Sequence, residues 1–210
     1  MWRIFDMENP VMRALAVACD LLLLNLLALL CCVPVITAGA SITALNDLTI
    51  RIVRQEDEYI VRPFFRSFAD NFRKATLLWL LVLLAAALLG VDYLAALSYI
   101  PALRVGIIAI GIIIFAVALY AFALLARYEN SLRATVRNAA VLSVAYFPRT
   151  LGMLAATVLF WALCLRFYQI GAPLLLLFGL ALPCYLNATL LNGVFRKLDE
   201  NAPPEDGVCE

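Results

Sequence analysis

The sequence has little charge and no histidine, and both shortages narrow the kind of protein it encodes. Only 15% of its 210 residues are charged, whereas a soluble domain is about one quarter charged. The formal net charge of +1 predicts neither a nucleic-acid partner nor an acidic one. Without histidine or a Cys-x-x-Cys motif, the usual zinc spacings and thioredoxin-like redox motifs are absent. We therefore expect no metal and no cofactor.

Signatures of catalysis are missing as well. The sequence contains no P-loop, no serine elbow and no glycine-rich phosphate cradle, so we expect a protein that is not an enzyme.

Thiols surrounded by apolar residues behave as small hydrophobes. We expect that structural role for the five cysteines inside apolar runs, which are Cys19, Cys31, Cys32, Cys164 and Cys184.

Apolar residues are in excess. They make up 65% of the chain, give a mean hydropathy of +0.96, and stand in uninterrupted runs. A bilayer core about 30 Å thick needs roughly 20 apolar residues of helix. We predict a single all-α domain over residues 1–198, a polytopic transmembrane bundle with a kink at Pro183. The acidic tail, 199–210, is expected to be disordered. The five predicted spans are about 14–36, 75–97, 103–126, 150–168 and 173–195.

The distribution of Lys and Arg predicts the orientation. Alternate sides of the membrane collect 12 and 4 of these residues. The positive-inside rule then places the N-terminus outside and the first loop, the third loop and the C-terminus in the cytoplasm. We expect a multi-pass protein of a bacterial cell membrane.

The first cytoplasmic loop holds the most distinctive stretch. Proline is favoured at the start of a helix, and four phenylalanines after Pro63 fall on one side at helical spacing. This pattern predicts an amphipathic helix in the headgroup layer, and a second cytoplasmic helix is predicted to continue from the third span. The first-loop stretch is either a docking surface for a protein or anionic headgroups, or a simple solvated helix. Its candidate residues are Glu56, Asp57, Tyr59, Phe64, Phe65, Phe68, Asn71, Phe72 and Lys74.

Ionisable and amide side chains also occur within or beside the predicted spans. Charges in lipid are functional hypotheses by default, although charges near helix ends also reach water by snorkelling. Asp20, Asp92, Arg104 and Arg166 are predicted to form a cluster near the outer surface, as a solute entry site or as helix-end anchors. Three membrane asparagines are expected to hydrogen-bond between helices. They are Asn25, Asn187 and Asn192.

Three stretches carry a resemblance to a known family. They are residues 34–44, the block 56–74 with its aromatic spacing, and residues 138–140 leading to 148–150. Together they resemble the YesL-like family of bacterial membrane proteins, a family of unknown function. Genes of that family often lie near carbohydrate-uptake permeases and two-component regulators. The resemblance implies an accessory role in sugar uptake or sensing, and it carries over no catalytic residue.

We therefore expect a non-enzymatic accessory or regulatory membrane protein linked to carbohydrate uptake. Its expected partners are the lipid bilayer and a sugar transporter permease or membrane sensor, with no nucleic acid. The alternative is a small-solute transporter or channel subunit, in which Asp20 and Asp92 face a water-filled interior. The sequence does not define an oligomeric state.

Overall fold

The computed structural model describes residues 10–56, 59–99, 101–128, 130–167, 173 and 175–200, and in these residues the fold is all-α, as predicted. A 3-10 turn, Val35–Thr37, links the first two helices, and residues 175–178 form one further helical turn. Of the predicted disordered tail, residues 199 and 200 are helical and 201–210 lie outside the described residues. The helices are α1 Pro10–Cys32, α2 Ala38–Arg54, α3 Val61–Tyr99, α4 Pro101–Arg127, α5 Leu132–Ala145, α6 Phe147–Arg166 and α7 Ala181–Glu200.

The first helix has the 23 residues of the predicted first span, but it ends earlier, at Cys32 instead of residue 36. The chain bends at Val33 and Pro34, because a residue that precedes proline is disfavoured in the α conformation. The Thr37 hydroxyl lies 2.6 Å from the carbonyl oxygen of Cys31 and 2.7 Å from that of Pro34. These contacts stabilise the bend from which α2 starts.

The second helix lies inside the bundle, which was not predicted. Eleven of its 17 residues are buried, and it packs against α1, α3, α4 and α7. A Cβ atom added at Gly39 would lie 2.5 Å from Trp79 Cβ and 2.6 Å from the Ala75 carbonyl oxygen. Ser41 Oγ donates to the Ala28 carbonyl at 3.0 Å. Small residues thus let the backbones of α1, α2 and α3 approach closely.

The third helix joins two predicted elements into one helix of 39 residues. The amphipathic helix after Pro63 continues into the predicted span at 75–97 without a break. Its placement in the headgroup layer is wrong for Phe64, which is fully buried, and Phe68 and Phe72 also pack against the protein core. The reason is that α2 offers this aromatic face a protein partner.

Among the described residues, four helices are long and apolar enough to cross a membrane, and they correspond to the first four predicted spans. The fifth predicted span is interrupted, because the chain turns at Gly179 and Leu180 before α7 begins at Ala181. The turn lies four residues before Pro183, which has no N–H for the Gly179 carbonyl. The predicted kink therefore takes the form of a break.

Asn25 of α1 pairs with the backbone at this break. Its Oδ1 accepts hydrogen bonds from the N–H groups of Leu180 at 2.8 Å and Ala181 at 3.1 Å. Its Nδ2 donates to the Leu176 carbonyl at 2.8 Å, and the side chain is fully buried. Broken backbone within a membrane persists only where a neighbour satisfies the freed groups. The side chain of Asn25 satisfies three of them.

The other two membrane asparagines also bond between helices. Asn187 Nδ2 donates to Thr157 Oγ1 of α6 at 3.1 Å, and Asn192 Oδ1 accepts from Arg54 Nε of α2 at 2.9 Å. The prediction that these amides join helices is confirmed for all three asparagines.

The fifth helix does not continue α4, contrary to expectation. Ser131, in extended conformation, caps the N-terminus of α5 and accepts a hydrogen bond from the Ala134 N–H at 3.4 Å.

Thr150 of α6 connects three helices by hydrogen bonds. Tyr120 Oη of α4 lies 3.1 Å from Thr150 Oγ1. Thr150 Oγ1 also donates to the Ser143 carbonyl at 2.8 Å, so one hydroxyl ties α4, α5 and α6 together.

Candidate functional site

An open groove of about 1900 Å³ lies between α1, the second half of α2, the start of α3 and the end of α4. We call it the basic groove, because positive charges outnumber negative ones among the described residues that line it. It is lined by five cationic side chains, Arg51, Arg62, Arg66, Lys74 and Arg127, and by three carboxylates, Asp20, Asp47 and Asp70.

Two of the carboxylates pair with cations of the same groove. Asp47 accepts from Arg51 Nε at 3.0 Å and from Arg51 Nη2 at 3.2 Å, in the two-point geometry that guanidinium and carboxylate favour. Asp70 lies 3.8 Å from Arg66 with both side chains largely exposed, so that pair is weak. Among the described residues, no group of three or more Cys, Asp or Glu is arranged to hold a metal ion.

The α4 wall of the groove is fixed by aromatic contacts with α7. The Arg127 guanidinium lies 5.7 Å from the ring centre of Tyr128 and 5.5 Å from that of Phe195. The two rings meet nearly edge to face at 6.1 Å. Because Phe195 is fully buried, this contact positions the cation at the groove wall.

A buried hydroxyl adjoins the groove without a hydrogen-bond partner in the described part of the chain. Ser67 is 6% exposed, and its Oγ makes no hydrogen bond there. Its carbonyl accepts from Asn71 Nδ2 at 3.2 Å, one turn further along α3. Buried polar atoms are usually paired, and Ser67 Oγ is an exception among the described residues.

The predicted docking residues separate into a group that lines the groove and a group that is packed in the protein core. Tyr59, Phe65, Asn71 and Lys74 line the groove. Phe64, Phe68 and Phe72 instead belong to the buried cores, and Asp57 lies outside the described residues. Glu56 is exposed, with its Oε1 3.6 Å from Arg54 Nη1.

The four residues of the predicted outer charge cluster lie on four different helices. Asp20 lines the basic groove, and Asp92 is exposed on α3. Arg104 Nε donates to the Ala96 carbonyl at 3.4 Å, and the Arg166 guanidinium lies 5.7 Å from the Phe167 ring centre. Asp20 therefore shares a groove with charges of α2, α3 and α4, and the four-residue cluster stays a prediction.

Sequence reasoning missed the contribution of α2 and α4 to the groove. Arg51 and Arg127 were counted only as loop cations, and Asp47 was not considered. The spacing of Asp47 and Arg51, four residues apart, is a signal for a helical ion pair that was available in the sequence. No signal indicated that Arg127, distant in the chain, would face the same groove.

Comparison with known proteins gives one match. Residues 21–93 match the family model described as "Protein of unknown function, DUF624". No curated protein and no solved structure matches the chain. The expected resemblance to a family of unknown function is confirmed, while the YesL-like name stays a prediction. Through the second half of α1, all of α2 and most of α3, the chain is similar to a family whose description assigns no activity.

Proposed function

We propose that the protein is a non-enzymatic accessory component of a membrane complex for carbohydrate uptake or sensing. Its partner is a transporter permease or sensor that presents a cytoplasmic segment with both apolar and acidic side chains. The segment docks at the mouth of the basic groove, on a surface that we call the rim patch, formed by Tyr59, Val61 and Phe65.

The observation that carries this proposal is the exposure of the rim patch. Tyr59 is 77% exposed, and Val61 and Phe65 are each 49% exposed. Arg62 and Arg66 stand next to Val61 and Phe65 in the chain, and all three apolar side chains line a charged groove. Apolar patches rimmed by charge are typical of protein interaction sites. The adjacent cations supply charge complementarity for an acidic segment.

The chemistry of the groove supports a role without catalysis. A serine nucleophile needs a hydrogen-bonded base, and Ser67 Oγ has no hydrogen-bond partner among the described residues. Of the two paired carboxylates in the groove, Asp47 is less exposed than Asp70, and Arg51 donates two hydrogen bonds to it. Neither side chain is arranged as an acid or base for a reaction.

The test is crosslinking in native membranes followed by affinity capture of the protein. The wild type should retain a permease or sensor, and Tyr59→Ala combined with Phe65→Ala should lose it at unchanged protein level. Phe147→Ala, which truncates another exposed aromatic residue, is the matched control and should retain the partner. Capture of the same partner by the rim variant would refute the proposal.

A second candidate, a small-solute transporter or channel subunit, is favoured by the position of Asp20. Asp20 is an ionisable side chain of a helix long and apolar enough to cross a membrane, and it lines the open groove. Ionisable side chains of spanning helices mark solute paths where they face a water-filled cavity. In a cysteine-free background, Asp20→Cys should then react with impermeant thiol reagents and be protected by solute, whereas protection by no solute would remove this candidate.

A further inference from the structure

We propose that α1 and α2 form a re-entrant membrane hairpin, which enters the bilayer and leaves it on the same side. The tip of the hairpin, formed by Val33, Val35 and Ile36, is a contact surface whose partner is the apolar interior of the bilayer. How the chain enters the membrane does not depend on the proposed docking function, so the hairpin and the docking function can fail separately.

The two helices pack side by side and run in opposite directions. Close to the tip, Ser41 Oγ of α2 donates to the Ala28 carbonyl of α1 at 3.0 Å. Farther from the tip, leucines of both helices share one buried cluster. At the open end of the hairpin, Asp20 of α1 and Asp47 of α2 line the same groove. The first turns of α1 and the last turns of α2 therefore lie at the same end of the hairpin.

The charge pattern shows how much of the hairpin lipid can accept. Residues 21–46, between Asp20 and Asp47, contain no charged side chain, and charges inside lipid are costly. At 1.5 Å per helical residue, the end of α1 lies about 18 Å beyond Asp20. A bilayer core is about 30 Å thick, so the uncharged part reaches past its middle without crossing it.

The side chains of the tip are apolar and strongly exposed. Val33, Val35 and Ile36 are 78%, 64% and 60% exposed. They continue an exposed apolar face of α1 that includes Leu26 and Leu30. By length and composition α1 suits a membrane, so the lipid that covers its leucines also covers the tip. This continuity identifies acyl chains as the partner of the tip.

Three backbone carbonyls at the bend have hydrogen-bond donors within the protein. The Cys31 carbonyl oxygen lies 2.6 Å from the Thr37 hydroxyl, and the Pro34 carbonyl accepts from the Thr37 N–H at 3.0 Å. Trp79 Nε1 of α3 donates to the Val35 carbonyl at 2.9 Å. Lipid has no hydrogen-bonding groups in its core, so non-helical backbone persists there only where protein or water satisfies it. The bend meets this requirement at all three carbonyls, while its exposed side chains stay apolar.

The hairpin changes the orientation expected for the start of the chain. The end of α2 and the start of α3 belong to the side predicted to be cytoplasmic, so the start of α1 lies on that side as well. Arg3 and Arg13 then move to the cytoplasmic side, and the two sides collect 14 and 2 of the Lys and Arg residues instead of 12 and 4. This distribution agrees better with the positive-inside rule than that of a first helix that crosses alone.

The test is thiol labelling in native membranes, in a cysteine-free background with one exposed position at a time replaced by cysteine. Ala14→Cys probes the start of α1, Ala69→Cys the start of α3, Val35→Cys the tip, and Phe167→Cys, just after α6, is the control for the opposite side. We expect an impermeant reagent to label Ala14→Cys and Ala69→Cys from the cytoplasmic side and Val35→Cys from neither side. Any result in which Ala14→Cys is not labelled from the same side as Ala69→Cys would overturn the hairpin.

A second measurement identifies what covers the tip. A spin label on Val35→Cys should collide more often with dissolved oxygen, which concentrates in lipid, than with a water-soluble nickel complex. The same label on Ala69→Cys should show the reverse. Frequent collision of the tip with the nickel complex would place it in water, and rare collision with both reagents would place it against protein. Either result refutes the contact with lipid.

An epitope tag before Met1 of the otherwise unchanged chain reports the same side without replacing any cysteine. In intact cells whose outer barriers have been removed, an antibody should bind the tag only after the cytoplasmic face has been opened. Antibody binding from the outside would refute the hairpin, because it requires α1 to cross the membrane alone.

Discussion

The second helix buries small and polar side chains, whereas the apolar part of α3 leaves large apolar side chains exposed. Helix α2 is rich in small and polar residues, and eleven of its 17 residues are buried. In the most apolar window of α3 only 6% is buried, and Leu84 and Leu88 are 59% and 60% exposed. In a soluble protein the large apolar residues would be buried and the polar residues would be exposed. Lipid is as apolar as leucine, so helices in a membrane associate through small residues and hydrogen bonds.

This difference also separates the parts of the molecule that can carry specificity. The apolar part of α3 contacts a solvent that lacks hydrogen-bonding groups, so its side chains need only be apolar. The start of the same helix, where α2 covers the aromatic face, places Arg62, Arg66 and Lys74 along the basic groove. Specific recognition is therefore expected where α2 supports α3, and the two regions can be tested against each other.

The largest effect is expected from Asn25→Leu. The substitution keeps the volume similar but leaves the Leu176 carbonyl and the N–H groups of Leu180 and Ala181 without their partner. Each buried group left unsatisfied costs about 1–3 kcal/mol, so we expect a loss of at least about 3 kcal/mol. The loss of stability is measured by unfolding the protein in detergents of increasing denaturing strength and following the folded fraction by size-exclusion chromatography. Asn46→Ala, which removes a bond only to its own helix at Ile42, should cost less. Equal losses would contradict the capping role.

A destabilisation smaller than that of Asn25→Leu is expected from Gly39→Ala. The added Cβ would meet Trp79 Cβ at 2.5 Å and the backbone oxygen of Ala75 at 2.6 Å, so α2 and α3 must separate. Overpacking of this kind costs about 1–3 kcal/mol. Thermal unfolding in detergent measures the loss. Gly90→Ala is the control, since a Cβ there has no neighbour within 4 Å, and it should change the midpoint little. A stable Gly39→Ala protein would refute the close approach of α2 and α3.

A smaller effect is expected from Ser41→Ala. This change removes the 3.0 Å bond from Ser41 Oγ to the Ala28 carbonyl, which joins α2 to α1. Hydrogen bonds between membrane helices contribute about 0.6 kcal/mol on average, so the unfolding midpoint should fall only slightly. Thr189→Ala serves as control, because its exposed hydroxyl bonds to Leu186 within one helix. A midpoint unchanged by Ser41→Ala would indicate that packing alone joins α1 and α2.

The apolar spans were predictable because lipid imposes a simple requirement on composition. A run of about 20 apolar residues satisfies the bilayer whatever its neighbours are. The start of α6 beside Pro148 follows from a local reason as well, whereas the bend at Pro34, an equally local feature, was placed inside the predicted first span. These features depend on residues close together in the chain.

The helix α2 and the groove were not predictable in the same way. The polar residues of α2, such as Ser41 and Thr49, resemble those of a solvated loop, and only packing by four other helices makes them buried. The aromatic face after Pro63 suggested a membrane surface because its partner helix was unknown. Likewise, no local pattern placed Arg127 beside residues of α3. Such features depend on contacts between distant segments.

The smallest effect is expected from Leu84→Ala, in the apolar part of α3. Leu84 is 59% exposed, and the unfolded helix remains in lipid, so truncation should change stability by less than about 0.5 kcal/mol. Leu45→Ala removes the same atoms from α2, where Leu45 is fully buried, and should cost about 2–5 kcal/mol. Both variants are measured by thermal unfolding in the same detergent. A loss for Leu84→Ala as large as that for Leu45→Ala would mean that this face of α3 contacts protein instead of lipid. The contrast between the two helices would then reflect an interface that the single chain does not contain.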